Sequence, residues 1–590
     1  MSTETHSPRR PSVAIPQWLR ARVRAGELGL IVLGGLTGAL AGLVVAAMGY
    51  AVTLLHAVLF GMPWGERLSG LEKLNPWVAV AVPTLGGLAF GFALWGLLRW
   101  RPGREVDPIE ANALHAGRMS LRGSLIVALQ TVWSSGVGAS VGLEAGYTQL
   151  ASGIASWIGR TFRLRRRDLR VLVGCGAAGA IAGAFGAPLA GAFYAFELII
   201  ATYSVGSLAP IGAAALVGYL VAGHFGQPSL GIGLIYESRI RAFDLAVAAV
   251  IGVAAAGVGI VVMRGVATCE RLLDRLRVRP LLRPALGGLV VGVLAISTPA
   301  VLSSGHGALH ISSVVASPLT AIALLFVLKS FASIVSLGAG FRGGLFFASL
   351  LIGALGGRLF AEGVIHFWPG SGLDPNVYMI VGMGAVSAAV IGGPLTMTFL
   401  ALETTGDFWL STAVLVAIIV AAQITRQAFG YSFATWRFHL RGEQIRSAAD
   451  VGWIRELTVR RMMRPDVSTV PAHTTVARFR LVFPLGSTSH VVALDEAKGY
   501  AGIVLVAEAH ALELDATLPV RSILHVPGTT LLPTMTVKDA LVSFDKAEAE
   551  ALAVIEGPNS RAVVGLLTEA YALRRYAAEL EQRRQDLLRE

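Results

Sequence analysis

Residues 186–197 read Gly-Ala-Pro-Leu-Ala-Gly-Ala-Phe-Tyr-Ala-Phe-Glu, and residues 392–403 read Gly-Gly-Pro-Leu-Thr-Met-Thr-Phe-Leu-Ala-Leu-Glu. The two stretches lie 206 residues apart and align without a gap. A proline and a glutamate match in each copy: Pro188 with Pro394, and Glu197 with Glu403. Small residues match easily by chance in an apolar chain, but a proline and a glutamate at identical spacing do not. The pattern therefore predicts an internal duplication.

The composition around this duplication is typical of a membrane protein. Of the 590 residues, 54% are hydrophobic and only 15% are charged, and 69 glycines are additional to that 54%, whereas soluble domains carry roughly 25% charged residues. Residues 123–159 contain Glu144 as their single charged residue, and residues 284–328 contain none. This composition excludes a disordered chain, a collagen and an ordinary soluble enzyme, and it predicts a polytopic membrane protein.

Clusters of arginine predict the orientation of the chain. Several arginines precede the first long apolar run, and further clusters occur at residues 163–167 and 271–283. Positively charged loops stay in the cytoplasm. We therefore expect a multi-pass protein of a bacterial inner membrane with both termini in the cytoplasm. The net charge of +12 is explained by these clusters, and we expect the lipid bilayer, not nucleic acid, to be the partner.

The domain boundaries follow from a change in composition near residue 440, where dense charge and alternating, strand-like runs begin. The soluble part also repeats, since residues 459–463 are similar to residues 520–524 and each is followed by a strand, a proline and a helix. We predict the following segments: an N-terminal segment 1–25, a membrane domain 26–440 with repeats at about 28–225 and 240–430, a linker 441–457, a soluble repeat pair 458–580 and a charged tail 581–590.

Glu144 is a carboxylate within a long apolar stretch, where an ionised side chain costs roughly 2.5–3.5 kcal/mol. Small residues flank it, including Gly142 and Gly146. If a helix begins just after Gly146, its unpaired amides and the positive end of its dipole would bind an anion. A carboxylate there would compete with the anion and leave when protonated, so Glu144 would be a gate. The alternative is a glutamate that is permanently hydrogen-bonded to those amides.

A second glycine-rich break spans residues 338–348. Phe346 precedes Pro394 by 48 residues, and Glu144 precedes Pro188 by 44, so the two breaks occupy similar places in the two repeats. Two helix N-termini that converge within the membrane would bind a small anion. Arg342 is either a fixed charge that raises the local anion concentration or an arginine that extends to the membrane interface. Lys329 either lines a cytoplasmic vestibule or extends to the membrane interface, and the sequence leaves both alternatives.

These motifs resemble those of the CLC family of chloride channels and anion/proton exchangers. Residues 142–146, Gly-Leu-Glu-Ala-Gly, are similar to the family's gating motif Gly-Arg-Glu-Gly-Pro, and residues 344–348, Gly-Leu-Phe-Phe-Ala, are similar to Gly-x-Phe-x-Pro, whose amides hold the central anion. Residues 430–432 resemble the site of a tyrosine whose hydroxyl completes that anion site. The soluble repeats resemble a CBS-domain pair. The similarity covers residues 25–580.

The resemblance implies a fold and a set of functional residues. The expected fold is an all-α polytopic membrane domain with two inverted repeats of broken, tilted helices, followed by a cytoplasmic α+β tandem CBS domain, in a homodimer with one pore per subunit. The implied gate is Glu144, and the implied proton pathway comprises Glu144 and Glu197. The implied anion-binding residues are Leu345, Phe346, Tyr431, Leu143, Ala145, Gly146, Val106 and Asp107.

Three departures from the family's motifs affect the expected function. The pore motif Gly-Ser-Gly-Ile-Pro appears as residues 104–108, Arg-Glu-Val-Asp-Pro, so its serine is missing, and Asp107 reads chiefly as a helix cap. Family exchangers usually carry a second glutamate after the repeat's own, but Leu198 follows Glu197, which favours an uncoupled channel. Gly146 and Ala348 replace the prolines that close the two motifs, and both keep a backbone N–H.

We therefore expect a passive, proton-gated channel for chloride or a similar small anion. A proton-coupled exchanger of the same fold and a membrane-embedded sensor that signals through the CBS pair are the alternatives.

No catalytic motif is present, so we expect no enzyme, and His306 and His310 lack further metal ligands nearby. The nucleotide-contacting stretch of CBS pairs, Gly-x-x-Thr-x-x-Asp, keeps Thr568 but has Tyr571 in place of the aspartate. We expect no cofactor, with an adenine nucleotide as the alternative.

Overall fold

The computed structural model of the protein describes the chain with several gaps. The described residues are 16, 18, 20, 22, 26–100, 105–226, 230, 240–314, 318–430, 432, 433, 435, 436, 457–557 and 560–578. Most of the predicted N-terminal segment, the predicted linker up to residue 456, the predicted tail and Tyr431 lie outside these residues. The chain divides into two compact units, Met1–Asp450 and Val451–Glu590, which we treat separately.

The first unit is helical. Its first half contains α1 (Glu27–Phe60), α2 (Pro76–Trp100), α3 (Pro108–Leu114), α4 (Leu121–Gly136), α5 (Glu144–Thr161), α6 (Arg166–Phe185), α7 (Pro188–Tyr194, continued by a π-helical turn, Ala195–Ile200) and α8 (Val205–His224). Its second half contains α9 (Ala242–Arg275), α10 (Arg283–Ser297), α11 (His306–Val314), α12 (Leu319–Gly338), α13 (Phe346–Phe367), α14 (Pro375–Ile391), α15 (Pro394–Thr405) and α16 (Phe408–Ala428).

Many helices of the first unit are long and apolar enough to span a bilayer. A helix needs about 20 apolar residues to cross the hydrocarbon core. Among the described residues, eight helices meet this need: α1, α2, α6, α8, α9, α12, α13 and α16. Shorter, broken helices lie between them, and such breaks survive in a membrane only where protein or a polar cavity satisfies the backbone.

The helix order confirms the duplication. Each half opens with a helix of 34 residues, α1 and α9, and each places a helix with a proline in its first turn, α7 or α15, before its last long helix. The packing repeats too. α1 contacts α8 as α9 contacts α16, and α5 contacts α6 as α13 contacts α14.

The two repeats cap each other's helices. Glu197 accepts hydrogen bonds from the amides of Leu395 and Thr396 at 2.8 Å each, at the start of α15. Glu403 accepts from the amides of Leu189 at 2.7 Å and Ala190 at 2.9 Å, at the start of α7. A helix's first amides have no partner within the helix, so each duplicated glutamate satisfies the other repeat's broken helix. Two repeats related by a two-fold axis produce such a reciprocal exchange, and the predicted all-α domain of two repeats with broken helices is confirmed.

Glu403→Gln should therefore destabilise the protein. The variant keeps one carbonyl oxygen and loses a charged acceptor for two amides, so we expect a loss of about 1–2 kcal/mol. Thermal unfolding of the purified protein measures the loss. The matched control is Glu270→Gln, which alters an exposed glutamate on α9 and should leave the melting temperature unchanged. Equal melting temperatures for the two variants would contradict the capping role.

The second unit is built from two α+β repeats. The first contains α17 (Val459–Met462), β1 (Thr469–Pro471), α18 (Val476–Val482), β2 (His490–Leu494), β3 (Tyr500–Leu505) and α19 (Val506–Ala509), and the second contains α20 (Val537–Ala547), β4 (Ala551–Gly557) and β5 (Ser560–Thr568). β2 pairs parallel with β1 and antiparallel with β3, and β4 pairs antiparallel with β5. A threonine caps the longer helix of each repeat, Thr475 before α18 and Thr536 before α20.

Candidate functional site

The two glycine-rich breaks meet in the first unit. The N–H of Gly142 donates to the carbonyl of Gly344 at 3.0 Å, and the N–H of Gly344 donates back to Gly142 at 3.1 Å, which forms a short antiparallel bridge. α5 and α13 begin two residues after these glycines. The N-termini of both helices therefore lie at the same bridge, and their positive dipole ends are close together.

The start of α5 differs from the sequence-based expectation. The helix begins at Glu144 itself, not after Gly146, because the carbonyl of Leu143 already accepts from the amides of Gly146 at 2.9 Å and Tyr147 at 3.1 Å. The Gly146 amide, which we predicted to bind an anion, is thus used to close the first turn. Glu144 is the first residue of the helix, so its side chain leaves directly from the bridge.

The Glu144 carboxylate lies against the start of the opposite helix. Oε1 accepts a hydrogen bond from the Phe347 N–H in the first turn of α13, at 3.1 Å, and the residue is only 4% exposed. Oε2 has no hydrogen-bond partner among the described residues. A Cβ atom at Gly142 would collide with the carboxylate, and one at Gly344 would lie 3.2 Å from Oε2. Glycine at these two positions leaves the space that the carboxylate fills.

Two recesses approach this carboxylate. The first, which we call the Tyr194 recess, has a volume of about 190 Å³ and is lined by residues that include Asp107, Ala145, Thr148, Tyr194, Leu198, Arg342, Leu345, Phe346 and Phe433. The second, which we call the His306 recess, has a volume of about 510 Å³ and is lined by residues that include His56, Arg67, Ser135, Leu143, Glu144, Ser303, Ser304 and His306. Glu144 lines one recess and Ala145, the next residue, lines the other. The carboxylate stands at the junction.

The Tyr194 recess gathers several predicted anion-binding residues. Leu345 and Phe346 are almost fully buried at its wall. Asp107 accepts from the Glu110 N–H at 3.0 Å and caps α3, which confirms its predicted role as a cap. The carbonyl of Val106 accepts from Gln149 Nε2 at 2.8 Å.

The His306 recess has basic and hydroxyl side chains. The His306 ring stacks on the Phe347 ring, with centroids 3.5 Å apart, and its Nδ1 lies 2.6 Å from Ser304 Oγ. Arg67 also lines this recess. A small anion would meet donors of hydrogen bonds and positive charge here. Within the ranges that the structure describes, no three His, Cys, Asp or Glu side chains gather in a way that would hold a metal ion.

The position of Lys329 differs from both of the places that we predicted for it, a cytoplasmic vestibule and the membrane interface. The residue is fully buried, and its Nζ donates to the carbonyls of Val301 at 3.1 Å and Ser303 at 2.8 Å. It therefore lies neither in an open vestibule nor at the membrane interface. Its ammonium group supports the loop that lines the His306 recess, and it is close enough to Glu144 for the two charges to interact. A buried charge needs such compensation.

Other residues of the site fall outside the prediction. Tyr194, His56 and Arg67 line the recesses, but no motif indicated them. Phe347 lies one residue beyond the two amides that we predicted.

Glu197, assigned to a proton pathway, caps α15 and is not among the residues that line either recess. Tyr431 lies outside the described residues, and Phe433 nearby lines the Tyr194 recess.

Several known proteins have sequences similar to this chain. The profile of the family described as "Voltage gated chloride channel" matches residues 86–426. A protein of Salmonella typhimurium named "Voltage-gated ClC-type chloride channel ClcB" is 31% identical over 402 residues, which are 67% of this chain and 95% of that protein. A ClcB protein of Escherichia coli is 30% identical over 401 residues, with the same coverage.

Solved structures share the fold. A slow cyanobacterial Cl⁻/H⁺ antiporter aligns with a TM-score of 0.61 at 21% identity, over 70% of this chain and 97% of that one. A eukaryotic CLC transporter aligns with a TM-score of 0.60 at 19% identity, over 93% of this chain and 98% of that one. The second alignment therefore extends into the C-terminal unit. From the matching profile and the ClcB relatives, together with this fold, we conclude that the chain belongs to the CLC family of chloride channels and transporters.

Proposed function

We propose that this protein conducts chloride or a similar small anion through the two recesses, and that protonation of Glu144 opens the path. The observation that carries the proposal is the hydrogen bond from the Phe347 N–H to Glu144 Oε1. The start of α13 is a site for an anion, because a helix N-terminus offers amide donors and a positive dipole end. In this structure the carboxylate, itself an anion, occupies that site.

The proposed opening step is the loss of this charge. An ionised carboxylate is held by the helix N-terminus and by attraction to Lys329. A protonated carboxyl group has lost most of that attraction. An anion that enters from either recess then takes the Phe347 amide, and the side chain of Glu144 moves aside. Acidic conditions therefore favour the conducting state.

Leu198 supports a passive channel over a coupled exchanger. It lines the Tyr194 recess, at the position where the family resemblance leads us to expect a second glutamate in an exchanger. A leucine side chain cannot carry a proton, so the recess lacks that group beside the anion path. The alternative, an anion/proton exchanger, is favoured by the retained Glu144 and by the fold that this chain shares with the slow cyanobacterial Cl⁻/H⁺ antiporter.

Reversal potentials in reconstituted membranes distinguish the two functions. A passive chloride channel should reverse at the chloride equilibrium potential whatever the proton gradient, because protons carry none of its flux. We expect the reversal potential to stay fixed when only the proton gradient is changed. A reversal potential that shifts with the proton gradient would contradict the passive channel and support the anion/proton exchanger. If correctly folded, reconstituted protein gave no anion flux, the result would instead favour a membrane-embedded sensor.

We extend the proposal to the assembly and to the second unit. A homodimer with both termini in the cytoplasm fits the CLC fold and the arginine clusters. For the C-terminal repeat pair we propose a structural role without a bound nucleotide. In the first repeat, the Gly-x-x-Thr-x-x-Asp stretch counted from Gly502 has Leu505 in place of the threonine and Glu508 in place of the aspartate. Glu508 is hydrogen-bonded to His525 Nε2. Its carboxylate is thus already engaged within the protein.

A further inference from the structure

Four arginines from three parts of the first unit line one recess that is separate from the proposed anion path. Arg118 follows α3, Arg160 is in the last turn of α5, and Arg163 and Arg166 lie in and after the connection from α5 to α6. The recess has a volume of about 570 Å³, and its other lining residues are Ala116, Leu164 and Leu169. We call it the arginine recess. It shares no residue with the Tyr194 or His306 recess.

Three of the four arginines of the arginine recess have no partner among the residues that the structure describes. Arg160 Nη1 donates to the carbonyl of Met119 at 3.3 Å. The guanidinium groups of Arg118, Arg163 and Arg166 make no hydrogen bond or ion pair with the residues that the structure describes. Like charges gathered in one place repel each other. An anion in the recess would relieve that repulsion and use the free donors.

Two residues that line the recess directly follow helix ends. Arg163, after α5, has φ 55°, and Ala116, after α3, has φ 50°. A left-handed residue is a common way to end a helix, so both helices end at the recess. The N-terminus of α6 lies at the same connection. Arg165 at its N-cap makes no capping hydrogen bond, and Asp168 lies in its first turn. That carboxylate offsets part of the positive end of the helix dipole, so the arginines supply most of the positive charge at the recess.

The position of the recess along α5 places it at the level of the lipid headgroups. Arg160 lies 16 residues after Glu144, or about 24 Å along the helix, whereas half of the hydrocarbon core is about 15 Å thick. Trp157, one turn before Arg160, is 44% exposed. Tryptophan is enriched at the interface between membrane and water.

We propose that the arginine recess binds the phosphate group of an anionic lipid. Guanidinium groups bind phosphate through paired hydrogen bonds, and three of them face this recess with free donors. A free phosphate has the same chemistry, but the exposed Trp157 and the apolar side chains of Leu164 and Leu169 favour a ligand that is anchored in the bilayer. The bound lipid would fix the connection from α5 to α6, and so the far end of the helix that begins at Glu144.

Native mass spectrometry of the full-length protein tests the proposal. Purified protein is mixed with phosphatidylglycerol, with phosphatidylcholine, or with inorganic phosphate. We expect phosphatidylglycerol to be retained, phosphatidylcholine not to be retained, and inorganic phosphate not to displace the lipid. Equal retention of the two lipids would overturn the proposal. Displacement by inorganic phosphate at concentrations similar to those of the lipid would show that the ligand is a soluble phosphate.

Two sets of variants assign the binding to the recess. The triple variant Arg118→Gln, Arg163→Gln and Arg166→Gln should bind phosphatidylglycerol at least about tenfold more weakly, because three charged donors are lost. The matched control is Arg275→Gln, Arg277→Gln and Arg279→Gln, which removes three exposed arginines after α9, one of them also at a left-handed position. If both triple variants lost the same amount of affinity for phosphatidylglycerol, the binding would depend on general surface charge, and the proposed site would be wrong.

The single variant Arg163→Gly keeps the test independent of folding. Glycine accepts the φ of 55° without strain, so this variant should be at least as thermally stable as the unmodified protein. It should nevertheless retain less phosphatidylglycerol, because it lacks one of the free guanidinium groups. Unchanged lipid retention by a stable Arg163→Gly protein would also count against the recess.

Discussion

Glu144→Gln should give an anion flux that no longer depends on pH. In the proposed mechanism one protonation opens the path, so the flux of the unmodified protein at pH values above the midpoint should fall about tenfold for each pH unit. The glutamine side chain has the shape of the glutamate but no charge to lose, and it competes weakly with an anion for the Phe347 N–H. We expect a high, flat flux across the pH range, measured as chloride efflux from liposomes.

The companion variant Glu144→Ala separates charge from occupancy. Alanine leaves the Phe347 amide unoccupied by any side chain, so its flux should be flat and equal to or above that of the glutamine variant. Glu403→Gln serves as the control, because it neutralises a glutamate that caps α7 away from the proposed path. It should keep the normal pH dependence. If Glu144→Ala retained the same slope with pH, the gate would have to be sought elsewhere.

The proposed gate needs the space that two glycines leave around the carboxylate. A Cβ atom at Gly344 would lie 3.2 Å from Glu144 Oε2, and one at Gly142 would collide with the carboxylate. An alanine at Gly142 would displace the carboxylate, and an alanine at Gly344 would crowd its Oε2. The bridge between the two breaks therefore does more than join the repeats, because it fixes where the charged side chain can rest.

The sequence predicts the fold well where the signals are local or repeated. Pro188 and Glu197 recur as Pro394 and Glu403, and both glutamates prove to be caps that hold the repeats together. Asp107 is predicted as a cap because aspartate, proline and glutamate follow a spacing that a helix start requires. Such features are decided within a few residues, so tertiary structure changes them little.

The site is predicted less completely because it is assembled from distant segments. α5 begins three residues before the predicted start, since a run of small residues contains several positions where a helix can begin. The partners of Lys329 are backbone carbonyls in a loop, which leave no trace in side-chain types. Tyr194 lies within the quoted repeat, but its counterpart in the second copy is Leu400, so the duplication did not single it out.

Lys329→Met should make the path open at a higher pH. The ammonium group attracts the ionised Glu144 carboxylate and so opposes its protonation. Methionine fills a similar volume without the charge, and the carboxylate would then take up its proton in less acidic solution. We expect the midpoint of the flux against pH to rise by up to about one pH unit, because an opposite charge favours the ionised carboxylate.

A purely structural role for Lys329 predicts a different result, and Lys329→Arg distinguishes the two. Methionine leaves the carbonyls of Val301 and Ser303 without their donor, which should lower the free energy of unfolding by about 1–3 kcal/mol. Arginine keeps the positive charge but has a larger head group that strains the buried loop. If charge controls the gate, the arginine variant should be destabilised and yet keep the normal midpoint, whereas the methionine variant should shift it. If both variants lose stability and neither moves the midpoint, Lys329 only supports the loop at the His306 recess, and the electrostatic coupling to Glu144 has no part in gating.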